Sequence, residues 1–406
     1  MKRKALWISI IGILLIGFVC LFCYRHYIRQ KQIEQKKHTG LVSEDFPIQD
    51  IKHQSQNIYE DAYQTEADNQ LQNMRNNNSY TIEDPLLVWN PYGTNTGSFY
   101  YYGVSEQDSY VVCEVTCNNG SVIKHRLKND SDSGVTKTHE YLITGLAPGL
   151  ENHFSLAFYD AGNNLIHTYQ YTVTLKKDKQ IPAITKVEKG NSKSSLTDGL
   201  FAVLGHDKSK AKNIYYYDNN GICRGKTPLN DYRTDRILTI DGKLVYSYSL
   251  TDIAFVNRLG KVEKTLSLGK YELHHDFMYD EKRNELLCLV NDTDKDTIED
   301  VLISVNIETG KIKKLVDFEK MMKSMRKRSV QRKGGKNTYG GTELDWLHLN
   351  SLDMINDKDA VFSSREESVI IKINNIYENP SIDYLIHSGS LYKGTKYEKL
   401  LLKQKG

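Results

Sequence analysis

Two stretches near the end of the chain, "VLISVNIETGKIKKLVDF" (301–318) and "SVIIKINNIYENPSIDYLI" (368–386), share one pattern that decides the fold. In each, an apolar run is followed by a polar turn and a second run suited to a strand. The preceding stretches also match, since "LHHDFMYDEKRNELLCLVN" (273–291) aligns with "LHLNSLDMINDKDAVFSSR" (347–365). Repeats of β-meanders at intervals of about 40 to 75 residues predict propeller blades with insertions.

The polar turn of this unit also occurs upstream, at 218–221 and 257–260, so we place the propeller over residues 187–406. At about 40 to 45 residues per blade, this span corresponds to about five blades. The alignment sets His274 over His348 on neighbouring blades, and the inner strands of a propeller line its central channel. We therefore expect two histidines to face one axis, a common place for a ligand or for catalysis.

A different pattern covers residues 81–178, where short runs such as "EYLITGL" and "HFSLAFYD" alternate with turn signals. About seven short strands over roughly 100 residues are typical of a β-sandwich. The stretch "LITGLAPGLENHFSLAFYD" resembles the fibronectin type III pattern, in which Leu-x-Pro-Gly leads into a strand. The fold class is therefore all-β, with a fibronectin/Ig-like sandwich followed by a propeller.

The N-terminus carries an apolar run, "ALWISIIGILLIGFVCLFCY" at residues 5–24, preceded by three basic residues. About 20 apolar residues are long enough to span a bilayer, and no small-residue cleavage site follows them. We expect an uncleaved anchor over 1–24, which makes the chain a single-pass cell-membrane protein with its catalytic part outside the cytoplasm. Residues 25–80, rich in Gln, Asn and Lys, are expected to form a stalk, part helix and part disordered.

Composition narrows the choice of partners. The 406 residues include 54 basic and 51 acidic ones, and this near balance argues against nucleic acid as a partner. Tyrosine is frequent (27 residues) and proline scarce (7), which favours β-structure. The basic stretch 320–341 favours an exposed insertion between blades, with nucleic acid and membrane lipid as alternatives. Cys113 and Cys117 lie on one face of one predicted strand, about 13 Å apart, and so cannot bond to each other.

Two segments, "ELHHDF" (272–277) and "DWLHLNSLDMINDKDAVFSSREESVIIKI" (345–373), together with the upstream sandwich, resemble the bacterial aryl-sulfate sulfotransferase family over about residues 80–406. The most specific part is Asp-Trp-x-His-x-Asn-Ser followed by Ser-Ser-Arg. The resemblance implies a sandwich-like domain before a six-bladed propeller. It also implies that a sulfuryl group passes from an aryl sulfate donor to a phenol acceptor through a histidine, with no nucleotide donor, cofactor or metal.

Matched residue by residue, the resemblance places His348, Asn350, Arg365 and the pair His274/His275 in the binding site. Arg365 offers a planar fork of donors to sulfuryl oxygens. His348 and one of His274 or His275 can donate hydrogen bonds to the same oxygens or protonate the leaving phenolate. Asn350 follows His348 by two residues, on what is expected to be the same strand face. Because adjacent residues on a strand point to opposite faces, only one of His274 and His275 is expected in the site.

The resemblance has one gap. In the family, the histidine that becomes sulfated lies further towards the C-terminus, in a Gln-His-Thr segment that this sequence does not contain. His387, in "YLIHSGS", matches no nucleophile of the family. We therefore expect a propeller that lacks its last blade. It is either inactive alone, unless a dimer or a separate chain supplies that blade, or active through another histidine, with His274, His275 and His387 as candidates.

Alternatives stay open for the site and for the function. His274, His275 and Asp276 could form a metal cluster, and Arg365 could pair with neighbouring glutamates in solvent. A non-catalytic propeller that binds a sulfated or phenolic ligand, or a partner protein, would explain the missing histidine. Another propeller enzyme, a lyase or hydrolase that uses His274 and His348, would be favoured by a bound divalent metal.

Overall fold

The computed structural model describes residues 24, 48–130, 134–181, 188, 190–191, 199–205, 212–231, 234–329, 335–337 and 340–403. The anchor predicted over 1–24 lies outside these residues except for Tyr24, and it stays a prediction. Within the described residues, no helix has the length and apolar character needed to cross a membrane.

The N-terminal part of the described chain is a two-layered β-structure. Its strands are β1 (Leu86–Trp89), β2 (Ser98–Cys117), β3 (Ile123–Arg126), β4 (Thr136–Thr144), β5 (Glu151–Tyr159) and β6 (Leu165–Thr174). The first half of β2 pairs with β1 and β4, and its second half pairs with β3 and β5, which in turn pairs with β6. The long strand β2 therefore belongs to both sheets.

The two sheets enclose one apolar core. Alternate residues of β2 are buried through most of its length, as expected for a strand with one face in a core. Phe99 and Tyr101 from its first half share this core with Leu156 and with aromatic residues of the second sheet such as Phe154. The described residues of the sandwich form six strands rather than about seven. The runs "SFYYYGVS" (98–105) and "YVVCEVTC" (110–117), which the sequence predicts as separate strands, are continuous in β2. The finer likeness to fibronectin type III stays a prediction.

The C-terminal part consists of antiparallel meanders in chain order. Its strands are β7 (Phe201–Val203), β8 (Asn213–Tyr217), β9 (Cys223–Pro228), β10 (Ile237–Ile240), β11 (Lys243–Ser247), β12 (Asp252–Val256), β13 (Val262–Ser267), β14 (Tyr271–Asp280), β15 (Glu285–Asp292), β16 (Val301–Asn306), β17 (Ile312–Asp317), β18 (Leu349–Met354), β19 (Ala360–Ser364), β20 (Val369–Asn374) and β21 (Ser381–Ile386). They form one three-stranded and three four-stranded sheets. The described residues therefore form four blade-like sheets. The length of the region 187–406, at about 40 to 45 residues per blade, had predicted about five.

The first strands of the last three sheets lie side by side, as inner strands of propeller blades do. Aspartates connect them. The Asp235 carboxylate accepts a hydrogen bond from the backbone N–H of His275 (3.0 Å), and the Asp276 carboxylate accepts one from the N–H of Leu352 (3.0 Å). Each inner strand is therefore held to the next one by a side chain, which fixes the register in which His275 and its neighbours are presented.

The segment predicted as a stalk is, from residue 48 onwards, packed against the rest of the chain. It contains helix α1 (Asp61–Asn77), whose Ala67 and Leu71 are buried against β1 and β2. The Gln64 amide donates to the Tyr92 carbonyl (3.2 Å), and its oxygen accepts from the N–H of Val262 (3.0 Å). Helix α1 thus contacts both the sandwich and the second blade-like sheet.

Between β17 and β18 the chain leaves the sheets. It forms two short helices, α2 (Phe318–Met321) and α3 (Lys323–Arg326), and a 3-10 turn (Glu398–Leu400) follows β21. Met322 and Met325 are buried, whereas Arg326 pairs with the Asp296 and Glu319 carboxylates. The described part of the basic stretch is therefore the insertion between blades that the sequence predicted, and it is anchored by apolar side chains.

Candidate functional site

Five side chains from two neighbouring sheets meet at their inner strands, and we call them the histidine cluster. Its members are His274, His275, Glu299, Asp345 and His348. The first two lie within β14, Glu299 lies two residues before β16, and Asp345 and His348 lie in the segment that leads into β18. Two neighbouring sheets thus contribute residues to one place.

Three members of the cluster have a backbone that non-glycine residues seldom adopt. His275, Glu299 and His348 have φ values of 54°, 59° and 51°, in the left-handed region. Such a conformation costs about 1 kcal/mol or more per residue and persists only where the surroundings impose it. Three of these residues at one point of the fold indicate that the side-chain positions, and not backbone stability, determine this local structure.

Backbone hydrogen bonds impose the position of Glu299. Its N–H donates to the Asn291 side-chain oxygen (2.7 Å), and its carbonyl accepts from the N–H of Leu349 (3.1 Å). The second of these bonds joins residue 299 to the residue after His348. These bonds therefore place the fully buried Glu299 beside His348, although the two residues are distant in sequence.

His348 is the centre of a charged network. Its Nδ1 lies 3.0 and 2.9 Å from the two Asp345 carboxylate oxygens and also contacts the Glu299 carboxylate. Its Nε2 lies 2.9 Å from Nε2 of His275. Burial of the ring lowers the pKa of His348, but the hydrogen bonds with Asp345 and Glu299 outweigh it and raise the pKa to about 8. At neutral pH His348 is therefore a cation that donates from both ring nitrogens.

His274 differs from the other two histidines. It is buried, and its ring nitrogens make no well-formed hydrogen bond in the described part of the chain, although a backbone contact with Val290 acts against the effect of burial on its pKa. Burial lowers the pKa of His274 to about 3, so its ring is neutral at physiological pH. It lines a cavity of about 480 Å³ together with Glu299, Asn291 and Thr297.

Arg365 joins the edge of this network. Its backbone N–H donates to the His348 carbonyl (3.0 Å), and its guanidinium lies 3.2 Å from Asp345 and 2.8 Å from Glu366. Its side chain is 39% exposed. The pairing with Glu366 that the sequence offered as an alternative is present, and it coexists with a contact to the carboxylate that holds His348.

The expectation for Asn350 was wrong in its geometry. Alternation along a strand was expected to put Asn350 on the same face as His348, but His348 is left-handed and the β18–β19 register shifts between Leu349 and Ser351. Asn350 is the extra residue at this bulge and is exposed.

The expectation that only one of His274 and His275 can enter the site was also wrong. The β14–β15 register shifts between Leu273 and Phe277, and His275 is left-handed, so alternation does not hold there. Both histidines bring a ring nitrogen to within 4.8 Å of a Glu299 oxygen. His275, and not the aligned His274, shares the backbone conformation of His348.

Sequence reasoning missed the two carboxylates. Asp345 carried a signal, since it opens the Asp-Trp-x-His segment three residues before His348. Glu299 carried none, because only the fold brings it to the site. His387, in contrast, lies elsewhere, with Nδ1 on the Ser368 carbonyl (2.9 Å) and its ring against Tyr392.

Comparisons with known proteins identify the family of this chain. None of the curated proteins matches this sequence. A solved structure, the β-propeller domain of Cps50 (Swd1) from Myceliophteria thermophila, is similar at 8% identity over 61% of this chain and 68% of that one, with a TM-score of 0.28. A similarity of that size carries no argument about this protein. The family model named Arylsulfotransferase (ASST) matches residues 185–406, more than half of the chain, with all four blade-like sheets and the whole histidine cluster inside the match. The chain therefore belongs to the arylsulfotransferase family.

Proposed function

We propose that this protein transfers a sulfuryl group from a phenolic sulfate ester to a second phenol. The observation that carries this proposal is the family match over residues 185–406, which contains a buried imidazolium, His348, held between two carboxylates. A buried cation that keeps a ring proton directed away from its carboxylates is suited to hold an anionic group or to protonate a leaving oxygen.

The overall reaction breaks the S–O bond to the donor phenol oxygen and forms an S–O bond to the acceptor phenol oxygen. The proton of the acceptor hydroxyl is replaced by the sulfuryl group, and the donor oxygen gains a proton. Nothing is oxidised or reduced, so the chemistry requires positioned acids, bases and anion-binding groups.

The proposed route passes through His275. Its Nε2 accepts a hydrogen bond from the Nε2–H of His348, and its side chain is 22% exposed. The single lone pair on Nε2 is engaged in that bond, so the donor sulfate would have to displace it before this nitrogen attacks sulfur. Attack of this nitrogen on sulfur forms an N–S bond as the donor S–O bond breaks, and His348 gives its Nε2 proton to the leaving phenolate. The acceptor oxygen then attacks sulfur, the N–S bond breaks, and the acceptor proton returns to His348.

The remaining residues have supporting roles in this proposal. Arg365 reaches solvent while its guanidinium contacts Asp345, so it can bind sulfuryl oxygens at the edge of the cluster. Asp345 and Glu299 keep His348 charged and oriented. The exposed Asn350 would contact substrate only beyond the sulfuryl group.

The test is release of nitrophenolate from 4-nitrophenyl sulfate by the full chain, purified in mild detergent, with and without phenol. We expect release that depends on phenol and falls at least about 100-fold in His348→Ala. His153→Ala is the matched control, because His153 is an exposed histidine of the sandwich that pairs with Glu151 and Thr172. It should retain full activity.

Two outcomes would contradict the proposal. Phenol-dependent release that survives in His348→Ala would remove this cluster from the reaction. No release by a folded wild-type chain that still binds 4-nitrophenyl sulfate would favour the alternative, a non-catalytic propeller that binds a sulfated or phenolic ligand.

A further inference from the structure

We propose that a basic patch on the propeller part binds a bilayer surface that contains anionic lipids. The patch combines two segments, the insertion after β17 and the chain that follows β21. Its members, all exposed, are Lys320, Lys323, Lys327, Arg328, Lys393, Lys396, Lys399 and Lys403. None of them belongs to the histidine cluster, so the inference is independent of the proposed function.

The insertion carries its cations on one side and its apolar side chains on the other. Lys320, Lys323 and Lys327 are spaced three and four residues apart, which places them along one side of a helical segment. Met322 and Met325, which lie between them in sequence, are buried. Anchoring by the two methionines therefore turns the row of lysines towards solvent.

The segment after β21 repeats this arrangement. Lys393, Lys396 and Lys399 are three residues apart and exposed, and the last of them lies in the 3-10 turn. Tyr392 and Tyr397 are buried. A second row of lysines is thus held at the surface by buried apolar rings.

The two segments pack against each other. The Tyr397 hydroxyl donates a hydrogen bond to the Met321 carbonyl (3.3 Å), and the Arg328 guanidinium donates one to the Leu391 carbonyl (3.4 Å). The buried methionines and tyrosines of both segments also belong to one apolar core. Cations that are about 70 residues apart in sequence therefore meet on one surface.

The positive charge of this surface is largely uncompensated. In the two segments, 318–329 and 391–403, the only acidic residues are Glu319 and Glu398. The Glu319 carboxylate is 3.2 Å from Lys295, which lies outside the patch. Within the described residues, Lys320 is the one member of the patch with a carboxylate oxygen within 4.0 Å, that of Asp317 at 3.7 Å. A group of exposed cations of this kind attracts an anionic surface.

An exposed leucine favours a lipid surface over nucleic acid. Leu402 lies beside Lys403 and is 52% exposed. An apolar side chain among lysines suits a membrane interface, because it can enter between the head groups while the lysines contact the phosphates. The aromatic residues of the two segments are all buried, so none offers the stacking platform on which single strands bind.

The experiment measures which lysines become protected next to a bilayer. The full chain in mild detergent is mixed with nanodiscs of phosphatidylcholine, alone or with phosphatidylglycerol, and the detergent is removed. Exposed lysines are then acetylated, and each site is quantified by mass spectrometry. In the anionic discs, acetylation of Lys323 and Lys396 should fall at least about threefold, and salt at about 0.5 M should restore it by screening. Lys137, an exposed lysine of the sandwich, should react equally in both kinds of disc.

Charge reversal tests whether the two rows act as one surface. In Lys323→Glu/Lys327→Glu we expect Lys396 to lose its protection in anionic discs, although Lys396 itself is unchanged. The matched control, Lys137→Glu/Lys177→Glu, makes the same change of charge on the sandwich and should leave the protection intact. The reciprocal variant, Lys396→Glu/Lys399→Glu read at Lys323, keeps the test valid if the first variant does not fold, which circular dichroism checks.

Three outcomes would overturn the inference. Equal acetylation of the patch in both kinds of disc would mean that anionic lipid is not its partner. Protection that requires an added oligonucleotide, and does not appear with phosphatidylglycerol, would assign the patch to nucleic acid. Protection of Lys396 that survives in Lys323→Glu/Lys327→Glu would mean that the two segments do not bind as one surface.

Discussion

Two buried histidine clusters, one in the sandwich and one in the propeller part, use their ring nitrogens in opposite ways. In the sandwich, Nε2 of His139 lies 3.0 Å from Ser105 Oγ and 3.1 Å from Ser109 Oγ, and Nδ1 lies 3.1 Å from the Tyr141 hydroxyl. Every ring nitrogen there has a neutral partner. Burial lowers the pKa of His139 to about 4, so this cluster is uncharged.

The propeller cluster departs from this arrangement in three respects. His348 is charged by two carboxylates, the ring nitrogens of His274 make no well-formed hydrogen bond in the described part of the chain, and three members have left-handed backbones. Each departure costs stability, and none is needed to fill a core. The comparison shows that burial of a histidine does not mark a functional site, whereas buried charge, unsatisfied nitrogens and strain at one point do.

The largest expected effect comes from removing the carboxylate that charges His348. Asp345→Asn preserves the shape of the side chain but lets the amide offer either a donor or an acceptor to Nδ1, so the cationic form of His348 loses support. We expect kcat for 4-nitrophenyl sulfate to fall about 1,000-fold with little change in KM. Asp345→Glu, which keeps the carboxylate, should retain part of the activity.

The sandwich offers the matched control. Ser109→Ala also removes a hydrogen-bond partner of a buried histidine, but the pair it breaks is neutral and distant in sequence from the cluster. Stability should fall by about 1 kcal/mol and kcat should not change. If the two substitutions affected activity equally, the distinction between the clusters would be lost.

The second effect is a pH dependence that belongs to the sandwich. The pKa of His139 is about 4 in the folded chain and about 6.5 when it is unfolded. Between these values only the unfolded chain binds the proton. The stabilising contribution is therefore complete above pH 6.5 and is lost as the pH falls towards 4, by up to about 3 kcal/mol.

Denaturant unfolding of the wild type and of His139→Gln at pH 7 and at pH 5 measures this contribution. The amide of glutamine does not titrate, so the difference between the two proteins should shrink at the lower pH. Asp108 is the one charged group whose effect on His139 is resolved, and it acts against burial. An equal difference at both pH values would mean that folding does not lower the pKa of His139.

Sequence reasoning succeeded where a local pattern carries the structure. The stretches 301–318 and 368–386 became β16–β17 and β20–β21, the outer halves of two four-stranded sheets. His348 was singled out from a short segment and is central to the cluster. In these places the alternation of apolar residues, the turn residues and the side-chain types predict the same local structure.

Sequence reasoning failed where non-local contacts override the alternation of side chains along a strand. Left-handed residues at His275 and His348 break the two-residue period, so the exclusion of one histidine of the His274/His275 pair and the face assigned to Asn350 were wrong. Glu299 reaches the site through hydrogen bonds with Asn291 and Leu349, which no pattern near residue 299 reveals. Partners of that kind follow only from packing.

The smallest predicted effect is a change in stability whose sign should differ between the two buried histidines, His274 and His139. His274→Phe replaces a buried ring whose nitrogens make no well-formed hydrogen bond by an apolar ring, so the chain should become more stable, by about 1 kcal/mol. His139→Phe, made at the partnered histidine, should destabilise by about 2 kcal/mol, because Ser105, Ser109 and Tyr141 lose their acceptor or donor. Denaturant midpoints measure both changes. Opposite signs would show that the fold tolerates His274 at a cost and that its imidazole is kept for something other than packing. A loss of stability in both variants would mean that His274 is a structural residue.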